Sequence, residues 1–203
     1  MNILITAGAT RNPIDAMRYL SARSTGSTGI SLAKSLRDAG HEVWLMGSAE
    51  TRLRAGDIPG EEYGSTRDLM ERMERWVRAN PQGAVIHSSA VGDYERSEPN
   101  PGKTPSGMAE WQLVLTPTPK IADRVRGWGL QGKYVTFKAA APATSDADLR
   151  EIARRQRTRT GCDRVFANVL GRIHTGVWWV GEEDQWFEER EPALAALIDW
   201  IKS

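Results

Sequence analysis

Three short segments of this chain combine glycines, hydroxyls and a few charged side chains in patterns suited to holding anions. The first, Thr6-Ala7-Gly8-Ala9-Thr10-Arg11, directly follows an apolar run, and the second, Ser24-Thr25-Gly26-Ser27-Thr28-Gly29, directly precedes a segment of helical period. Backbone N–H groups at a helix start, assisted by hydroxyls, can hold a phosphate. An ordinary helix cap with a flexible lead-in accounts for the same residues equally well. The third segment, His87-Ser88-Ser89-Ala90-Val91-Gly92-Asp93-Tyr94, ends another apolar run and leads into a charged, proline-rich stretch that contains Lys103. Taken singly, Asp93 reads as a turn cap and Lys103 as a solvated loop lysine. His87 is evenly balanced between a ligand contact and a capping role, while His41 and His174 read as structural or exposed. Cys162 has no basic neighbour at helical spacing and reads as a small buried residue rather than a nucleophile. The arginine run over 150–159 reads as a solvated helix face that leaves room for an anion contact.

The elements that must carry these segments follow from periodicity. Residues 2–6 are a short apolar run that stops at a glycine turn, the pattern of a fully buried strand. After a polar segment over 11–26, Ile30, Ala33 and Leu36 recur at helical spacing, Gly40 closes the helix, and 41–46 begins the next strand. This is a βαβ unit with a right-handed crossover. Further helices are predicted over 66–78, 118–125, 146–159 and 192–202, and further strands over 84–88, 111–115, 134–139 and 164–167. The runs 176–180 and 185–188 flank Gly-Glu-Glu-Asp, a hairpin signal. The sum is an α/β fold: a doubly wound, mostly parallel sheet with a C-terminal antiparallel hairpin, in a single domain over 1–203. Ligands of such sheets sit beyond the carboxyl ends of the strands, where all three loops fall.

Composition narrows the partners. The 203 residues carry 27 Lys and Arg against 26 Asp and Glu, so no charge argument favours a nucleic acid or an anionic membrane. One cysteine and three histidines exclude a disulfide framework and a cysteine-based zinc site, which suits a reducing cytoplasm. No leader peptide is legible at the N-terminus, and no apolar stretch approaches about 18 residues. Eight tryptophans stand against three phenylalanines. Strand alternation at Trp178-Trp179 predicts one ring in the core and the other offered to a partner subunit.

The second loop also resembles the glycine-rich turn of short-chain dehydrogenases, and the chain contains one Tyr-x-x-x-Lys, Tyr134 to Lys138. In a dinucleotide-binding unit that turn follows the first strand within a few residues, whereas here about eighteen intervene. On a strand, Tyr134 and Lys138 would stand about 13 Å apart. An NAD(P)-dependent oxidoreductase is therefore the weaker alternative.

Read together, the segments resemble a known family. Ile-Thr-Ala-Gly-Ala-Thr-Arg-x-Pro-Ile-Asp15, Arg-Tyr-Leu-Ser-x-Arg-Ser-Thr-Gly26, Ala-Val-Gly-Asp-Tyr94 with Lys103 ten residues after the aspartate, Thr-Phe-Lys138 and Phe-Ala-Asn168 occur in order over nearly the whole chain. They resemble phosphopantothenoylcysteine synthetase, the phosphopantothenate–cysteine ligase of coenzyme A biosynthesis. The resemblance implies a Rossmann-like fold, usually dimeric, and a ligase that activates the carboxylate of 4′-phosphopantothenate with CTP (or ATP) and Mg²⁺, then forms an amide with cysteine. It implies that Gly8, Ser24, Thr25 and Gly26 meet phosphates. It implies that His87, Ser88, Ser89, Asp93, Pro119, Lys120, Ile121 and Phe137 surround the nucleotide, with Arg159 as a phosphate donor and Lys103 on a mobile flap neutralising the transferring group.

The chain departs from the family at named positions. Ala22 stands where the family has the asparagine of the second half-reaction, and an alanine side chain makes no hydrogen bond. Ala140 stands where many members have glutamate, and arginines replace the lysines of the late helix. These departures give a second reading: a nucleotide-binding subunit that has lost the amide-forming step.

Overall fold

The computed structural model describes residues 1–98, 100–172 and 174–203. Pro99, at the start of the proline-rich stretch, lies outside the described residues. The chain runs through β1 (Asn2–Ala7), β2 (Arg11–Pro13), β3 (Tyr19–Ser21), α1 (Ser27–Asp38), β4 (Glu42–Gly47), α2 (Ala49–Ala55), β5 (Gly60–Glu62), α3 (Thr66–Ala79) and β6 (Ala84–His87). It continues through β7 (Tyr94–Arg96), β8 (Leu115–Pro117), β9 (Tyr134–Ala140), α4 (Asp146–Thr160), β10 (Arg164–Val169), β11 (Thr175–Val180), β12 (Gln185–Glu189) and α5 (Arg190–Lys202).

Eight strands form one sheet in the order β12-β11-β10-β9-β6-β1-β4-β5. The six strands from β5 to β10 are parallel, and β11 and β12 close the edge as an antiparallel hairpin. The parallel part has the 3-2-1-4-5-6 order of dinucleotide-binding folds, in which the strand order reverses between β1 and β6. β1 shows why the sheet sits at the centre. Its Ile3 and Ile5 pack with α1 and α5 side chains such as Leu36, Leu197 and Ile201, while Leu4 faces Leu69, Met73 and Val77 of α3. Alternating side chains thus feed two apolar layers, one on each face.

Three local expectations are corrected. The polar segment 11–26 contains the paired strands β2 and β3, and α2 and β5 occupy a stretch where no element was expected. The helix expected over 118–125 is only a one-turn 3₁₀ segment at Ile121–Asp123. Only Ile121 and Val125 are buried there among its apolar side chains, and Pro119 has no N–H to give a helical ladder. The strand expected over 111–115 pairs only from Leu115 onward, against β7. Trp179 is buried in the core as alternation predicts. Trp178 is half-buried: its indole N–H donates to Asp146 O at 2.7 Å, and the Arg150 guanidinium covers its ring at 4.8 Å.

Candidate active site

The carboxyl ends of β1 and β6, either side of the reversal in strand order, are tied by a short polar network. Thr6 Oγ1 and His87 Nδ1 lie 2.8 Å apart, and the Ser89 N–H reaches Thr6 Oγ1 at 3.3 Å. The Ser88 hydroxyl donates to Thr6 O at 2.6 Å. Tyr63, arriving from the end of β5, donates to Ala7 O at 2.8 Å, with Ser89 Oγ equally distant from the same phenol oxygen. Burial pushes the His87 pKa down to about 4, so its imidazole is neutral near pH 7. Cys162 is buried, and burial raises its thiol pKa.

Beside this network lies a cavity of about 240 Å³. His87, Ser89, Asp93, Pro119, Lys120, Ile121, Phe137 and Arg159, all singled out from sequence, line it together. Ser88 does not line it, because its hydroxyl is turned back onto β1. The charges are arranged in pairs across the mouth: Lys120 Nζ is 2.5 Å from Asp93 Oδ1, and Arg159 pairs with Asp123. Sequence reasoning missed Lys138 and Gln156 as wall residues. Lys138 follows Phe137 in the carboxyl half of β9, toward the strand end where the fold rule places ligands. Gln156 stands one turn before Arg159 on α4, and its amide holds Thr136 Oγ1 at 2.9 Å and Phe137 O at 3.1 Å.

The two glycine loops meet beyond the end of β1. Gly8 and Gly26 both have positive φ, +89° and +73°, and a Cβ on Gly26 would fall 3.1 Å from Gly8 N and 2.3 Å from Thr51 Oγ1. Gly8 and Gly26 are therefore brought together at the strand end, with Thr25 adjoining Gly26. The Thr25 hydroxyl is 2.8 Å from Ser27 Oγ, and Arg54 of α2 donates to Thr25 O at 2.8 Å, which brings a cation to this loop.

Two residues expected at the site stand apart from the cavity. Lys103 is exposed and lines no part of it, and its segment makes contacts with the turn at Asp15 and Ala16. The Thr104 N–H donates to Asp15 Oδ2 at 3.2 Å, the Ala16 N–H donates to Gly102 O at 3.1 Å, and Asn100 holds Thr104 Oγ1 at 3.3 Å. Asp15 itself is fully buried and accepts from the Met17 and Arg18 N–H groups at 2.8 Å. The Met17 N–H above all, then those of Arg18 and Thr104, hold its carboxyl well below the usual carboxylate range against the opposing effect of burial. Ala22 is exposed just after β3, also away from the cavity.

Asn168, at the end of β10, is buried, and its Oδ1 lies 3.4 Å from Arg190 Nη1. Arg190 opens α5, reaches Thr28 Oγ1 of α1 at 3.1 Å, and lies over the Phe166 ring, which stacks on Phe137. Periodicity gave no signal for Arg190. Among the described residues, no group of three His, Cys, Asp or Glu side chains could hold a metal ion. No helix among them is long and apolar enough to cross a membrane.

Residues 1–183 match the sequence model of the DNA/pantothenate metabolism flavoprotein C-terminal domain. The chain belongs to this family. Members similar to it include the coenzyme A biosynthesis bifunctional protein CoaBC of Thermococcus kodakarensis, 33% identical over 83% of this chain and 41% of that protein. The CoaBC protein of Escherichia coli is 27% identical over 99% of this chain and 51% of its own length. The chain thus spans about half the length of these curated relatives. The crystal structure of a DNA/pantothenate metabolism flavoprotein from Streptococcus pneumoniae superposes with a TM-score of 0.86 at 26% identity, covering 100% of this chain and 98% of that one. The chain is accordingly a member of the phosphopantothenoylcysteine synthetase family with its Rossmann-like α/β fold.

Proposed function

We propose that the chain is a phosphopantothenate–cysteine ligase of coenzyme A biosynthesis, using CTP (or ATP) to turn the carboxylate of 4′-phosphopantothenate into an acyl-nucleotide and pyrophosphate. The amine of cysteine then displaces the nucleotide. A carboxylate is a poor acylating agent because its leaving group is an oxide, and nucleotidyl transfer supplies a better one. The observation that carries this reading is the cavity at the ends of β6 and β9, beside the strand-order reversal, where eight residues separately implied by family resemblance lie together. Phe137 offers a ring face to a base, and Lys120, Lys138 and Arg159 supply cations against the phosphate charge. Mg²⁺ typically keeps several waters and takes only one or two protein carboxylates, so a triphosphate-borne ion with Asp93 as its protein contact fits a chain without a three-ligand cluster among the described residues. When bound, that ion would offset charge on the phosphate oxygens.

The second reading, a nucleotide-binding subunit without amide formation, rests on Ala22, whose exposed methyl offers no polar contact. The oxidoreductase reading is disfavoured by Tyr134, which is buried on β9 with its hydroxyl donated to Ala122 O at 3.0 Å. We further propose a homodimer, supported by exposed apolar side chains on the two small hairpins, and a cytoplasmic location.

Pyrophosphate release with CTP or ATP and 4′-phosphopantothenate, followed by amide formation on adding cysteine, tests the ligase. Pyrophosphate without amide favours the second reading, and Ala22→Asn should then restore coupling. A chain that shows neither turnover nor nucleotide binding removes both readings.

A further inference from the structure

Tyr63 and Thr6 fix the direction in which hydrogen bonds run at the cavity wall. A carbonyl oxygen only accepts, so the Tyr63 hydroxyl places its one proton on Ala7 O at 2.8 Å. Its second contact, with Ser89 Oγ at 2.8 Å, must then run from the serine to the tyrosine. Ser89 is left with lone pairs alone to show the cavity it lines. Burial raises the Tyr63 pKa further above the neutral range, so the phenol keeps its proton.

The same accounting applies to Thr6, which is fully buried. Within hydrogen-bond reach of its Oγ1, among the described residues, are the Ser89 N–H, which only donates, and His87 Nδ1. The threonine proton therefore goes to Nδ1, and a neutral imidazole with Nδ1 accepting carries its proton on Nε2. Ser88 cannot substitute as a donor to a ligand, because its proton is committed to Thr6 O.

Resting on the nucleotide reading above, we propose that His87 Nε2–H and Ser89 Oγ form a donor–acceptor pair that takes the nucleoside part of the ligand and excludes its phosphates. A phosphate oxygen brings no proton at neutral pH, so at Ser89 it would meet lone pairs with lone pairs. A sugar hydroxyl or a base N–H beside an acceptor satisfies both groups. The phosphates are left to the cations Lys120, Lys138 and Arg159 and to the Gly8–Gly26 loops.

Two measurements test this. A histidine-selective ¹⁵N–¹H correlation spectrum of the unliganded protein should show His87 with Nδ1 bare and Nε2 protonated, and the opposite tautomer overturns the Thr6 half of the argument. Calorimetry with cytidine and with inorganic tripolyphosphate tests the ligand assignment. Tyr63→Phe keeps the ring and frees the Ser89 proton; it should weaken cytidine roughly five- to ten-fold, the size of one hydrogen bond, and leave tripolyphosphate within about two-fold. Ser89→Ala, which leaves the core untouched, should give the same pattern. Loss confined to cytidine and absent with 2′,3′-dideoxycytidine assigns the sugar, and equal loss with both assigns the base. Unchanged cytidine binding in both variants, or a loss confined to tripolyphosphate, overturns the proposal. A wild-type chain that binds neither CTP nor ATP removes the nucleotide reading and the ligand assignment with it, while the tautomer is still decided by the spectrum.

Discussion

His87 is neutral in the folded chain because burial pushes its pKa down to about 4 from an ordinary 6.5. The unfolded chain binds the proton more readily, so this residue's contribution to stability is complete above about pH 6.5 and is lost as pH falls through 4. One decade of proton affinity is about 1.4 kcal/mol, which makes the full loss about 3 kcal/mol. Urea midpoints measured from pH 7 to 4 should therefore fall more steeply for the wild type than for His87→Gln, and parallel curves would refute the assignment. Asp15 acts in a lower window. Its carboxyl is held below its ordinary 3.8, so its contribution is present above that value and lost only in stronger acid. At neutral pH its role is positional, since its Oδ2 accepts from the Thr104 N–H next to Lys103. An amide at Asp15→Asn carries an NH₂ donor that would face a donor. Limited proteolysis should then cut the 97–114 segment several-fold faster than in the wild type, and an unchanged cleavage rate would show that the other contacts suffice.

At the scale of elements, what could be read from sequence divides by the strength of the apolar signal. β1, α1, β4, α3, β6, β9, α4 and the β11–β12 hairpin each bury a periodic apolar set, and all were legible. β2, β3 and β5 are three-residue strands whose side chains are mostly exposed or half-buried, so periodicity had nothing to register. The short α2 buries only Thr51 and Ala55, yet it braces both glycine loops through Thr51. Cavity-lining residues were legible where a motif carries them, as with His87 at the end of β6 and Phe137 within β9, and illegible where tertiary contacts bring residues in, as with Tyr63 and Arg190. The docking of the Lys103 segment was illegible because a proline- and glycine-rich stretch reads as free chain, whereas the buried Asp15 accepts from the Thr104 N–H beside it. α1 approaches β1 so closely that a Cβ on Gly29 would fall 2.4 Å from Ala7 Cβ. Gly29→Ala must push helix from strand beside Ser88, and about 1–3 kcal/mol of stability should be lost. Gly127→Ala, where nothing lies within 4 Å, should change stability by less than about 0.5 kcal/mol. Equal denaturation midpoints for the two variants would contradict that packing.

At the scale of the molecule, the near-zero net charge means that any anionic ligand must be recognised by local geometry, and the exposed apolar surface is equally localised. Among the described residues, ten large apolar side chains are exposed, and six of them, Met17, Tyr19, Tyr94, Met108, Val114 and Leu115, belong to the β2–β3 and β7–β8 hairpins and their connecting loops. The hairpins are tied to each other: the Asn12 amide donates to Tyr94 O at 2.9 Å and Arg96 donates to Ile14 O at 2.9 Å. They form one excursion from the main sheet, and its apolar residues are not needed for the core. Scattered exposed apolar residues need no explanation, but their concentration on one projecting unit fits an interface. A self-complementary contact between two copies would cover this unit twice about a two-fold axis. Val114, 71% exposed, is the most informative position, because a charge there costs the monomer little and would be desolvated in a dimer. Sedimentation velocity should show a dimer for the wild type and a monomer for Val114→Asp, with thermal midpoints of the monomeric fold within a few degrees. A wild-type monomer at concentrations of tens of micromolar would remove the dimer, and a dimer that survives Val114→Asp would move the interface elsewhere.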